Sequence, residues 1–127
     1  MDSPQTHQWG PALWTILHSS AERIGSNHTR YLQHEESRLW SGLLTSLRFS
    51  LPCPQCKRHY SDYLQRHPLP LISQQLIREW LFSLHQEVNQ RNQKPCDVTI
   101  ENLPVLYGKP FHFTLHLGIV QQQIRLS

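Results

Sequence analysis

Two cysteines two residues apart, in the stretch Leu51-Pro52-Cys53-Pro54-Gln55-Cys56-Lys57-Arg58-His59-Tyr60, are the residues of this chain best suited to chemistry. Their position behind a proline reads as the first turn of a helix. A C-x2-C spacing lets one disulfide close within a helical turn. It also leaves the first sulfur near the unpaired N–H groups of a helix N-terminus, where a thiolate is stabilised and its pKa falls. A dithiol so placed either exchanges electrons or holds a metal. A zinc site would recruit Cys53, Cys56, His59 and His67, but structural zinc takes two well-spaced pairs of ligands. Here the second pair is poorly spaced and Cys96 is remote, so no metal ligand set is expected. A thioredoxin-like arrangement needs strands alternating with helices around the motif, and the sequence offers none there.

Two further clusters favour electron exchange. Trp14 and His18 stand four residues apart in Trp9-Gly10-Pro11-Ala12-Leu13-Trp14-Thr15-Ile16-Leu17-His18, on one helical face. In Trp80-Leu81-Phe82-Ser83-Leu84-His85-Gln86-Glu87-Val88-Asn89, Trp80, Leu84 and Val88 form one row, and His85 and Asn89 the next. A single buried Trp or His is most often a packed, hydrogen-bonded core residue. Two matched clusters beside a C-x2-C point instead to a flat aromatic cofactor between helices, with tryptophans on its rings and His and Asn at its edges.

The elements that must position these residues are helices. No proline falls between Pro11 and Pro52 or between Pro70 and Pro95, leaving two long helix-permissive windows. A first helix is expected from Trp9-Gly10-Pro11 to Gly25, with Leu13, Trp14, Leu17, His18, Ala21 and Ile24 on one stripe. A second runs from about Arg30 to Leu51, with Gly42 a place where another helix could approach closely. A third starts at Cys53-Pro54 and stops before His67-Pro68, and a fourth runs from Ser73, its N-cap, to about Asn92. The expected fold is all-α, an antiparallel bundle with short connections. Thr99 could cap a short helix through Leu103. The segment 110–117 alternates like a strand but has no evident partner, so 96–127 is expected to form an appendage with one or two short helices.

At 127 residues the chain is long enough for one domain with a real core. Its net charge of +3 is spread out, with only Lys57-Arg58 adjacent, so nucleic-acid binding is not expected. No apolar run approaches the ~20 residues of a membrane span. The N-terminus lacks the basic-then-apolar pattern of a secretion signal. With three cysteines, one necessarily odd, a disulfide-stapled secreted scaffold is disfavoured.

Together these motifs resemble the Erv/ALR-type FAD-linked sulfhydryl oxidases, most nearly the small versions encoded by large DNA viruses such as poxviruses and asfarviruses. The resemblance covers about residues 8 to 95. It is carried by Trp9-Gly10, Trp14 and Leu17-His18, by Leu51-Pro52-Cys53 with Cys56, and by Trp80, His85, Val88, Asn89 and Lys94. It implies a four-helix bundle with a short fifth helix and FAD at the mouth of the bundle. It also implies oxidation of dithiol protein substrates, with electrons passing through the Cys53–Cys56 pair to FAD and then to oxygen, giving hydrogen peroxide. On this reading Cys56 lies against the flavin and Cys53 is the outer, accessible sulfur. Trp9, Gly10, Trp14 and His18 would line the cofactor from the first helix, and Trp80, His85, Val88, Asn89 and Lys94 from the fourth. The rival reading is a small helical zinc-binding interaction module using Cys53, Cys56 and nearby histidines.

The chain also departs from the family pattern. Gln86 follows His85 where an asparagine is usual, and no cysteine follows Cys96, so the usual later structural bridge cannot form within the chain. Nor is there a pair left for a separate shuttle disulfide. Substrates would then be small dithiol carriers reaching Cys53 directly. Cys96 would be an inert free thiol, since a lone buried cysteine is usually a packing residue, with an intersubunit bridge or a one-cysteine relay as alternatives. The family forms homodimers through the first two helices, and the Trp40/Leu44/Leu47 side of the second is a candidate surface, with internal core as its alternative. A viral member would act in host cytoplasm or virions, a cellular one in the mitochondrial intermembrane space.

Overall fold

The computed structural model describes residues 6–109 apart from 28, together with the backbone of 111–117 and 120–126. Four helices carry the fold: α1 (Thr6–Ala21), α2 (Arg30–Ser50), α3 (Pro54–Arg66) and α4 (Gln74–Arg91). A 3-10 turn at Ile100–Asn102 leads into the short α5 (Leu103–Tyr107). The all-α bundle with a short fifth helix is thus present as expected.

Local chemistry fixes the helix starts. Thr29, Cys53 and Ser73 are the N-caps of α2, α3 and α4, and each side chain accepts a backbone N–H three residues on. Pro54 then occupies the first helical position, where its missing N–H costs nothing. α1 begins at Thr6, earlier than its sequence suggests, with Pro11 inside it. As the sixth residue of α1 it cannot donate the N–H that a helix would direct to the carbonyl four residues back, and its ring crowds that carbonyl. α1 also ends sooner, at Ala21. Arg23 and Ile24 bond back three residues instead of four, and Gly25, at φ +87°, turns the chain toward α2. The Gly25 N–H is held by Glu36 Oε1 at 3.1 Å.

α1 packs on α4 and α2 on α3. Between them lies a core of Leu17, Ala21, Ile24, Trp40, Leu44, Leu47, Tyr60, Tyr63, Ile77, Trp80, Leu81 and Leu84. Its tyrosines do not leave hydroxyls stranded: Tyr60 donates to the Leu44 carbonyl, and Tyr63 to that of Trp80 at 3.1 Å. The Trp80 indole donates to the His67 carbonyl at 2.9 Å and meets Tyr63 edge-on at 5.2 Å. A largely buried ion pair, Arg78 to Glu22 at 2.8 Å, ties α4 to the turn after α1.

Of the two readings of the Trp40/Leu44/Leu47 side, internal core is the one observed. Two expectations are corrected. Nothing approaches Gly42, which faces open space. The strand-like segment does have a partner: β1 (Phe111–Leu117) pairs antiparallel with β2 (Val120–Leu126), from Phe111 opposite Leu126 to Leu117 opposite Val120. The run Gln121-Gln122-Gln123 interrupts the apolar alternation of β2 and hides it in the sequence. The appended region therefore holds a short helix and a hairpin. α5 lies on α1, where the Arg23 guanidinium donates to the carbonyls of Tyr107 (3.1 Å) and Lys109 (3.2 Å).

Candidate functional site

The dithiol sits where α3 begins. Cys53 is the N-cap, and its sulfur accepts the Cys56 N–H at 3.3 Å. The two sulfurs have unlike surroundings. Cys53 is 5% exposed, against the expectation of an accessible outer sulfur. Cys56, half-buried, lies on the wall of a cleft of about 840 Å³ counted to its open mouth. One face of α1 supplies one wall of this cleft with Trp9, Gly10, Leu13, Trp14 and Leu17, and α4 supplies another with Leu84, Glu87, Val88 and Arg91. Leu47 and Leu51 of the α2 end close the apolar floor. The Trp9 indole N–H is buried and has no hydrogen-bond partner among the described residues.

A second, smaller cleft lies on the far side of Trp14. His18, His85, Gln86, Asn89, Cys96, Leu103 and Tyr107 line it. The Trp14 and His85 rings are nearly parallel, 5° apart, with centroids at 3.9 Å. Because Trp14 faces the first cleft and His85 the second, this stack is the partition between them. His18 Nε2 lies 2.9 Å from His85 Nδ1, and Tyr107 stacks on His18 at 4.9 Å. A ring-to-ring bond of this kind needs one N–H and one lone pair, so the rings cannot both be charged. Burial, then the neighbouring His85, lowers the His18 pKa from 6.5 to about 4. Burial, then the Lys94 charge, lowers His85 to about 4 as well. His59 beside the first cleft is also held below its ordinary value, by burial and then the Arg91 charge.

Most of the residues singled out by sequence are brought together here. Trp9, Gly10, Trp14, Cys56 and Val88 meet at the first cleft, and His18, His85 and Asn89 at the second. Lys94 follows the C-terminal end of α4, its charge felt at His85. Trp80 lies in the core and lines neither cleft. Sequence reasoning passed over Arg91 and Tyr107. Arg91 continues the α4 row through Leu84 and Val88, so its spacing could have flagged it. Tyr107 could not have been found, since nothing local links it to His18 across the intervening chain.

A zinc module fails on geometry. His59 is one turn from Cys56, but His67 caps the opposite end of α3, about 20 Å from Cys53 at 1.5 Å per residue. Among the described residues no three His, Cys, Asp or Glu side chains converge as a metal site requires. Gln86 ties α4 to the segment after it, its Nε2 donating to the Val98 carbonyl at 3.1 Å. Cys96 is a free thiol and is exposed, so the buried packing place argued for it does not hold.

Comparison with known proteins gives a consistent result. The model of the Erv1 / Alr family matches residues 11–103. The FAD-linked sulfhydryl oxidase of African swine fever virus (isolate Pig/Kenya/KEN-50/1950) is 33% identical over 86 residues, spanning 68% of this chain and 69% of the relative. A probable FAD-linked sulfhydryl oxidase of Acanthamoeba polyphaga mimivirus, R368, is 34% identical over 86 residues, 65% of this chain and 57% of the relative. Among solved structures, the yeast Erv1 core superposes with a TM-score of 0.66 at 22% identity, covering 84% of this chain and 86% of that one. This last match establishes the fold.

Proposed function

The chain belongs to the Erv1/Alr family, and on that premise we propose that it is an FAD-linked thiol oxidase, taking electrons from substrate dithiols and delivering them to oxygen as hydrogen peroxide. The observation that carries this reading is the position of Cys56, on the wall of an apolar cleft that adjoins a Trp–His stack.

The residues present fit such a cofactor. The cleft is walled by Trp and Leu side chains and holds the Trp9 N–H without an acceptor among the described residues. Bound FAD supplies two-electron chemistry with a dithiol and with oxygen. The chain's own part is placement. Trp9, Gly10, Trp14 and Val88 would border the flavin side. His18, His85 and Asn89 would border the nucleotide side, with Lys94 as a point charge for phosphate. Trp80 acts through packing, holding α4 against α3.

The dithiol chemistry follows from the cap. A substrate thiolate attacks Cys53, releasing Cys56 as the leaving thiolate, and the second substrate thiol then displaces Cys53. The products are a substrate disulfide and a reduced Cys53/Cys56 pair. Backbone N–H groups at the α3 N-terminus favour the Cys53 thiolate as it leaves. Because Cys53 is 5% exposed, the segment before α3 must yield for a protein thiol to reach it.

Residues 1–95 are read as the cofactor-binding bundle and 96–127 as an appendage on the same domain, and the packing of α5 on α1 supports their belonging to one domain. A homodimer would use the exposed stripe of α2 that includes Leu32, Leu39 and Leu43, with the exposed Ile16 of α1. No described helix is long and apolar enough to cross a membrane. Relatives occur in viruses and, under a mitochondrial name, in yeast, so host cytoplasm or virions is the proposed setting and the mitochondrial intermembrane space its alternative.

The decisive measurement is a visible spectrum of the purified protein before and after anaerobic dithiothreitol. A flavin band that bleaches with the dithiol and returns on admitting air is expected, and Cys56→Ser should keep the band but not bleach. A protein that remains colourless when supplied with FAD would overturn the reading.

A further inference from the structure

α3 has a second face with no part in either cleft. Gln55, Cys56, His59 and Tyr60 turn toward the cofactor cleft, whereas Pro54, Lys57, Arg58 and Asp62 line a shallow groove shared with Arg48 and Phe49 from the end of α2. No residue lines both. The C-x2-C motif thus stands between an apolar cleft and a shallower groove, with Pro54, the residue after Cys53, forming part of the groove.

The groove has a distinct chemical character. Phe49 is 71% exposed, a large aromatic ring with no place in the core. The Arg48 guanidinium lies over it, 4.6 Å from the ring centroid, so apolar surface and positive charge are presented together. Arg58 and Lys57 add two further cations. The single acid, Asp62, is already engaged by Arg66 Nε at 2.9 Å. The groove is therefore basic around one aromatic anchor, although the chain as a whole is only mildly basic.

We propose that this groove docks the substrate protein, by an acidic segment flanking its dithiol that lies along Arg48, Phe49 and Arg58. The inference rests on the oxidase reading above and names the class of substrate that reading leaves open. Docking beside Pro54 holds the incoming thiol next to Cys53 while the segment before α3 yields. The exchange balances as before: the substrate dithiol loses two electrons and two protons, and the Cys53–Cys56 disulfide gains them. Complementary charge at such a rim acts mainly on encounter, and so on kcat/KM and its salt dependence.

The test uses the flavin-loaded full chain with three reductants: dithiothreitol, a Cys-X-X-Cys peptide flanked by Asp and Glu, and the same peptide flanked by Lys. At low salt the acidic peptide should exceed the basic one in kcat/KM by about tenfold or more, and the difference should collapse near 0.5 M salt. The double variant Arg48→Glu with Arg58→Glu should erase or invert the preference and leave dithiothreitol turnover unchanged. Unchanged dithiothreitol turnover also certifies the fold, and the milder Arg48→Gln replaces the double variant if that fails to fold. Equal turnover of the two peptides, or a preference that survives the variants, overturns the docking proposal alone. Absence of turnover with dithiothreitol in the unaltered protein overturns the oxidase reading, and the proposal with it.

Discussion

His18 and His85 share one bond across two helices, and that bond makes the site acid-sensitive. Both rings have folded-state pKa values near 4, below the 6.5 of an unfolded histidine. As pH falls beneath 6.5 the unfolded chain takes up protons that the folded one refuses. Stability contributed by the pair is therefore complete above 6.5 and lost between 6.5 and 4. The thermal midpoint should be flat from pH 8 to 7 and decline steadily below 6.5, with a shallower decline in His85→Gln. A midpoint that is level from pH 7 down to 5 would contradict this. At this scale the sequence was informative about type more than place. Cys56 was legible from its motif, and Trp14, His18 and His85 because helical spacing aligned them, whereas Trp80 was grouped with them by the same spacing yet lies in the core. Periodicity defines a row on a helix, but not what faces that row.

Among the elements, α2, α3 and α4 were readable to within a residue or two because their caps are written in the chain. Ser73 accepts the Leu76 N–H at 3.1 Å, whereas Thr99 makes no such bond before the 3-10 turn. Ser73→Ala should cost about 1 kcal/mol in chemical denaturation, and Thr99→Ala close to nothing. Equal losses would show that the cap geometry is not the source. The boundaries of α1 were less legible, since Pro11 is tolerated within the helix and Gly25 closes a turn that begins after Ala21. The hairpin was half legible: β1 alternates, but the glutamines of β2 mask its partner.

For the whole molecule, the closing contact is made by α5. Leu103 is 2% exposed, Tyr107 covers His18, and Arg23 anchors the Tyr107 and Lys109 carbonyls. Tyr107→Ala should loosen the second cleft without unfolding the bundle, raising the FAD dissociation constant by roughly tenfold, about 1.4 kcal/mol. Titration of the apoprotein with FAD by flavin fluorescence measures it, and an unchanged constant would remove Tyr107 from the site. None of this was visible beforehand, because these contacts join positions 84 and 86 residues apart. That separation has a consequence for synthesis. Ribosomes deliver a chain from its N-terminus, so the dithiol and both long walls of the first cleft emerge well before Tyr107 does. A nascent chain halted after α4 would own its sulfurs yet lack the last wall of its second cleft. The second cleft of such a chain would gain its closing ring only when α5 had followed.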